Sequence, residues 1–161
     1  MHQKDFDSWN QKKKQLNTIQ ERPHFHEREI WFCHLGANLG FEQDGRGKQY
    51  LRPVVILRQF NNEVFWAVPL SKTNKNSPYY FKFLFKEKVT SVAILSQIRL
   101  MDGKRLSHHV GEISEADFVK LKQKLKALLP WEIITPATRA GSGRSHLYLY
   151  YTLLLQSVNQ S

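Results

Sequence analysis

The sequence predicts a mainly β fold: a small, mostly β barrel with helices at its periphery. Three observations predict it. Several short apolar runs, rich in β-branched and aromatic residues, are separated by turn residues. One segment near the middle of the second half has the periodicity of an amphipathic helix. The length of 161 residues fits one domain with its own core.

The strands are predicted from five apolar runs. The first run is apolar and aromatic on both faces, which is typical of a buried strand. The second and third runs flank the turn 59–63 and therefore predict a hairpin. A glycine-rich loop separates the first two runs. The runs are 30–35, 53–57, 64–70, 79–85 and 91–95, and residues 97–100 are expected to extend the last one.

A C-terminal helix is predicted at about 114–129. Ser114 is a good N-cap, and Asp117 three residues later resembles the acid of a capping box. Pro130 ends the helix. One apolar stripe is expected to pack on the barrel, and the lysines between its members are expected to face solvent; the stripe is Phe118, Leu121, Leu125 and Leu128.

Three segments are expected along the chain. Residues 1–27 form an accessory helix, over about 6–20, or a mobile arm; in the helix, Lys12, Lys13 and Lys14 would face solvent and Pro23 would end it. Residues 28–129 form the barrel, and 130–161 form a tail to which the sequence assigns no role.

The composition indicates an anionic partner. Twenty-four Lys and Arg residues oppose 14 Asp and Glu residues, for a formal charge of +10, and most of the excess lies within 29–129. Such a surface favours nucleic acid, although a merely basic protein has the same composition. Cys33 is the one cysteine, so an internal disulfide and a CxxC metal site are excluded. Without a secretory signal or a long apolar run, a cytoplasmic location with no membrane contact is expected.

The order of several short motifs resembles the MazF/PemK toxins of bacterial toxin–antitoxin pairs. The resemblance covers about residues 28–128 and implies an SH3-like PemK/CcdB-type barrel that usually forms a homodimer. Its motifs are Glu29-Ile30-Trp31, Gly40-Phe41-Glu42-Gln43, Arg52-Pro53-Val54-Val55-Ile56-Leu57, Val68-Pro69-Leu70-Ser71 and the segment 91–99.

The resemblance also implies a function. It implies a type II toxin that is a metal-independent endoribonuclease (an mRNA interferase), cutting single-stranded mRNA by attack of the 2′-hydroxyl to leave a 2′,3′-cyclic phosphate. It implies no cofactor. It implies a small acidic cognate antitoxin as partner, and operator DNA contacted through the antitoxin complex. The alternative is a noncatalytic module on the same barrel that binds DNA or a protein.

By the same resemblance, Arg52 and Ser71 are the candidate catalytic residues. A planar guanidinium suits a phosphate with two exposed oxygens. Glu42 is a possible general base, or a residue that fixes the loop. The candidate RNA-binding residues are Gln43, Arg46, Lys48, Lys72, Gln97 and Arg99.

The histidines do not predict a metal site. His24 and His26 share a face of an extended segment, but no third ligand has suitable spacing. The pair His108-His109 is expected in a surface turn.

Overall fold

The computed structural model describes residues 4–73, 75–86 and 89–129, and within them the chain forms seven strands and two α-helices. The mainly β prediction is therefore confirmed, including the hairpin across the turn 59–63, whose two strands pair antiparallel. The predicted tail at 130–161 lies outside the described residues. The elements are α1 (Phe6–Asn17), β1 (Glu29–His34), β2 (Leu51–Gln59), β3 (Val64–Ser71), β4 (Tyr80–Phe85), β5 (Val89–Ile94), β6 (Arg99–Asp102), β7 (Leu106–Glu112) and α2 (Glu115–Leu128).

The strands pair antiparallel in the order β4-β5-β3-β2-β1-β7, and β6 pairs with β3 off this path. The first half of β3 pairs with β6 and its last two residues pair with β5, so β3 is the strand at which the sheet folds over. Between the end strands β4 and β7 there is no ladder in the described chain. They nevertheless approach closely, because a Cβ added at Gly111 would lie 3.0 Å from the Phe85 ring. The sheet is thus a curved barrel that hydrogen bonding does not close.

Two clusters of buried side chains fill the two sides of the curved sheet. The first lies under α2 and includes Phe118 and Leu121, so the predicted packing of the helical stripe on the barrel is confirmed. The second is built around Phe25 and Phe65, whose rings lie 4.8 Å apart. Alternation along the central strands β2 and β3 supplies both clusters, since successive side chains point to opposite faces.

Two details of the predicted strands are wrong. Residues 97–100 do not extend β5, because a 3₁₀ turn at Leu95–Gln97 redirects the chain and β6 then pairs with β3. His108 and His109 lie in β7, which pairs with β1, and not in a turn. The sequence of β7 has no continuous apolar run because most of its side chains are exposed. An exposed strand lacks the apolar run on which the prediction relied.

Both helices begin at side-chain caps, of which only Ser114 of α2 was predicted. The Ser114 hydroxyl accepts from the Asp117 N–H at 3.1 Å at the start of α2. Asp5 caps α1, whose buried residues are Trp9 and Leu16. The helix ends at Asn17, well before Pro23, and a 3₁₀-like turn at Thr18 closes it. Residues 6–17 are therefore a helix and not a free arm, and Trp9 of this helix packs against Gly36, Tyr50 and Arg105.

Candidate functional site

Arg52 is buried at the start of β2, with 7% of its surface exposed. Its Nε donates to the backbone carbonyl of Asp44, and its Nη1 donates to the carbonyl of Leu70 at 3.1 Å. Among the described residues it forms no ion pair with a carboxylate and Nη2 makes no hydrogen bond. The guanidinium is thus held on two edges by neutral acceptors, and its charge is not neutralised by direct contact.

Strand pairing brings Ser71 to Arg52. Val54 pairs with Pro69 in the β2–β3 ladder, and beyond this pair the Arg52 guanidinium donates to the carbonyl of Leu70, the residue before Ser71. The Ser71 Oγ accepts from the Thr73 N–H at 3.0 Å, which leaves the hydroxyl hydrogen free to be donated. The two candidate catalytic side chains therefore come together because the strands are antiparallel neighbours.

Both side chains line one cavity of about 380 Å³. Two further cations lie on its wall, Arg46 and Lys72, and no carboxylate lies among its described lining residues. The rest of the wall is mostly apolar and comes from β1, β2, β3, β4, β5 and β7, with Phe32 and Phe85 as its aromatic members. An apolar wall with cations at its edge suits a nucleobase attached to a phosphate.

The electrostatics of the cavity favour an anion. Burial lowers the pKa of Arg52, the nearby charge of Arg46 lowers it further, and Asp44 opposes both effects. A guanidinium stays protonated in proteins, so Arg52 remains charged although its surroundings disfavour the charge. A phosphate placed in the cavity offsets it, since an opposite charge at close range favours the charged form.

The remaining candidate residues fall outside this cavity. The amide of Gln97 accepts from the Gln43 N–H at 3.1 Å and donates to the Phe41 carbonyl at 3.4 Å, so it holds the β1–β2 loop. Glu42 is exposed, accepts from the Leu39 N–H, and lines a different groove together with Arg99. Lys48 is exposed in the turn before β2.

The sequence did not indicate what fixes the β1–β2 loop, residues 35–50. Lys4 pairs with the Asp44 carboxylate at 2.9 Å and donates to the carbonyl of Asn38 at 2.6 Å. The Tyr50 hydroxyl donates to the Asp5 carbonyl at 3.1 Å. Asp44 thus receives Lys4 on its side chain and Arg52 on its backbone, which links the N-terminus of the chain to the guanidinium.

Two glycines make this arrangement sterically possible. Gly36 has φ of +98°, and a Cβ there would lie 2.3 Å from the Trp9 ring. A Cβ at Gly45 would lie 1.7 Å from the Tyr50 carbonyl oxygen. Any larger residue at either position would move the loop or the helix.

Other kinds of site find little support within the described ranges. No grouping of three His, Cys, Asp or Glu side chains there is arranged to hold a metal ion. His26 lies 3.2 Å from a Glu29 carboxylate oxygen through its Nδ1. None of the described helices has the length and apolarity needed to span a membrane.

Comparisons with known proteins identify a family and two solved structures of similar fold. The family model described as PemK-like, MazF-like toxin of type II toxin–antitoxin system matches residues 26–129. MazF from Deinococcus radiodurans is similar in structure, with a TM-score of 0.53 at 17% identity, covering 70% of this chain and 100% of that one. An endoribonuclease solved with its cognate antitoxin from a mycobacterial species has a TM-score of 0.51 at 18% identity, covering 67% and 99%. No curated protein matches the chain.

Proposed function

Since the chain belongs to the PemK-like, MazF-like toxin family of type II toxin–antitoxin systems, whose members are endoribonucleases, we propose that it cleaves single-stranded RNA in the cavity that Arg52 and Ser71 line. One observation carries the assignment of the site. Arg52 is buried, oriented by two carbonyls and directly paired with no described carboxylate.

The reaction uses the substrate's own nucleophile. The ribose O2′ loses its proton to a base as it attacks the adjacent phosphorus, and the P–O5′ bond breaks. The leaving O5′ takes up a proton, so the products are a 2′,3′-cyclic phosphate and a 5′-hydroxyl. Negative charge builds on the non-bridging oxygens in the transition state. Arg52 stabilises that charge through the N–H groups that the two carbonyls do not occupy. Because its orientation is already fixed, little reorganisation is needed at the moment of reaction.

Ser71 is the second donor in this proposal. Its hydroxyl hydrogen is free to reach a phosphate oxygen or the leaving O5′. Lys72 and Arg46 lie on the wall of the same cavity, where they attract the backbone of the substrate. Glu42 remains a candidate base, although it lies in another groove in this structure. Gln43 and Gln97 support the loop, and base reading by them requires the amide of Gln97 to exchange partners.

Family membership supports the proposed partners. A small acidic antitoxin is expected to cover the cationic cavity, because opposite potentials favour such an interface. One structural neighbour was solved with its cognate antitoxin. A homodimer, and operator DNA bound through the antitoxin complex, belong to the same proposal. We place this activity in the cytoplasm, where mRNA and an antitoxin meet the protein.

The test is cleavage of a single-stranded RNA in the presence of EDTA. We expect fragments that carry a 2′,3′-cyclic phosphate at one new end and a 5′-hydroxyl at the other. An Arg52→Ala protein purified in the same way controls for contaminating nucleases. RNA or DNA binding without any product, in EDTA and in Mg²⁺, would reject catalysis and favour a noncatalytic binding module.

A further inference from the structure

A second groove lies beside α1, between this helix and the segment that joins β6 to β7; we name it the α1 groove. It consists of two depressions of about 410 and 560 Å³. Asn10, Lys13 and Arg105 line both depressions, so the two adjoin each other. Its helical wall lies before residue 26, where the family match begins.

The α1 groove is strongly cationic. Asp102 lines it, but Arg22 binds both carboxylate oxygens at 2.9 and 3.0 Å, so this charge is already neutralised. Asp7 and Glu42 line only the depression nearer the β1–β2 loop. The cations that line the groove are Lys13, Lys14, Arg99, Lys104 and Arg105.

Part of this charge is held in place before any ligand binds. The Arg105 guanidinium lies over the Trp9 ring at 5.5 Å and donates to the His34 carbonyl at 3.0 Å. Burial lowers the pKa of Arg105, as it does for Arg52. Lys13 and Lys14 are exposed and form no ion pair with a described residue. Arg and Lys side chains make many of the contacts that proteins form with a phosphate backbone, and this groove contains a fixed Arg beside Lys residues without a described ion-pair partner.

The groove adjoins the proposed catalytic cavity through the β1–β2 loop. Asn38 and Glu42 on this loop line the α1 groove. The Asp44 carbonyl on the same loop receives Arg52. Arg46 on the same loop lines the proposed catalytic cavity, so this loop borders both sites.

We propose that the α1 groove binds the phosphates of the RNA strand on one side of the cleaved linkage, and so lengthens the RNA-binding surface beyond the barrel. The inference rests on the proposed function. It also gives Lys13 and Lys14 a role besides solvation of the helix. Lys and Arg that neutralise phosphates release counterions, so their contribution is measurable as a salt dependence.

The experiment measures binding of a 24-nucleotide 2′-O-methyl RNA, which lacks the attacking hydroxyl, at several salt concentrations. Lys13→Gln/Lys14→Gln is compared with Lys120→Gln/Lys126→Gln. The second pair removes the same charge from exposed positions of α2. We expect Lys13→Gln/Lys14→Gln to lower the affinity roughly tenfold and to reduce the slope of log affinity against log salt by about 1.4. The affinity of the α2 pair should change by less than about twofold. Lys13→Arg/Lys14→Arg should restore binding.

The results separate the two proposals. An equal loss of RNA affinity in both double variants, or no loss in either, would overturn the proposal for the α1 groove. Neither result would contradict RNA cleavage by the wild type. A loss of binding to an oligoglutamate peptide without a loss for RNA would also overturn the proposal for the groove and indicate an acidic protein. If the wild type binds RNA with this asymmetry and does not cleave it, the groove stands and the proposed catalysis fails. A wild type that does neither rejects both.

Discussion

The barrel and the N-terminal segment, residues 4–20, are held in different ways. The barrel is stabilised by long antiparallel ladders and by two clusters of buried side chains. The N-terminal segment buries Trp9 and Leu16 and otherwise depends on a few polar contacts at its ends. Because burial of apolar area contributes more to stability than exposed polar contacts do, the segment should open locally while the barrel stays folded.

The same comparison separates two roles at the site. Arg52 and Ser71 belong to strands of the barrel, whose pairing sets their positions. The loop beside them is held from outside the barrel by Lys4, Asp5 and Trp9. The barrel therefore supplies the two proposed catalytic side chains, and the N-terminal segment holds the loop whose Asp44 carbonyl orients Arg52.

The largest expected effect is on stability. Phe65→Ala should reduce the free energy of unfolding by about 3–5 kcal/mol, because it leaves a cavity in the centre of the barrel. Trp9→Ala should reduce the free energy of unfolding by less, because the N-terminal helix can detach locally while the barrel stays folded. Urea unfolding measures both variants. A loss for Trp9→Ala as large as that for Phe65→Ala would show that the two regions unfold as one.

Arg52→Ala should lower the cleavage rate by about 10²–10³-fold, the cost of removing a preorganised donor to a developing anion. Arg52→Lys should restore only a small part, since an ammonium cannot satisfy both carbonyls and the phosphate in the same geometry. Single-turnover cleavage in EDTA measures the rates. Circular dichroism checks that each variant is folded, and undiminished cleavage by folded Arg52→Ala would remove Arg52 from the mechanism.

A smaller effect is expected at Lys4, which acts on Arg52 through Asp44. Lys4→Ala should lower kcat by about two- to fivefold with little change in KM, in keeping with the modest worth of a partly exposed ion pair. Lys4→Arg should retain most of the rate. Lys120→Ala on exposed α2 is the matched control. A change confined to KM, or the same loss in the control, would contradict a positioning role.

The smallest effect concerns pH. Burial lowers the pKa of His34 below its ordinary 6.5, and the charges of Lys12 and Arg105 act in the same direction. The unfolded chain therefore takes up a proton first as the pH falls below 6.5, and stability decreases with it. His34→Asn can keep a donor near the Gln49 carbonyl without titrating in this range. Its unfolding free energy should fall less than that of the wild type between pH 7.5 and 5.5, and parallel curves would contradict the assignment.

Much of the fold was predictable because its signals are local. The β2–β3 hairpin, the capped α2 helix and its apolar stripe each depend on residues close together in sequence. β7 was not predicted as a strand because most of its side chains are exposed and it therefore has no apolar run. β6 was misread because only its pairing with β3 distinguishes it from an extension of β5.

The site divides in the same way. The sequence by itself determined the family motifs, and with them the choice of Arg52 and Ser71 as candidates. Only the tertiary structure decided that Asp44 joins Arg52 to Lys4, and that Lys13 and Lys14 share a groove with Arg105. Helix periodicity and turn chemistry act over a few residues and are written in the sequence. Residues about 40 or 90 positions apart in the sequence come into contact only once the chain has folded, because the order and pairing of the strands decide which distant residues lie close in space.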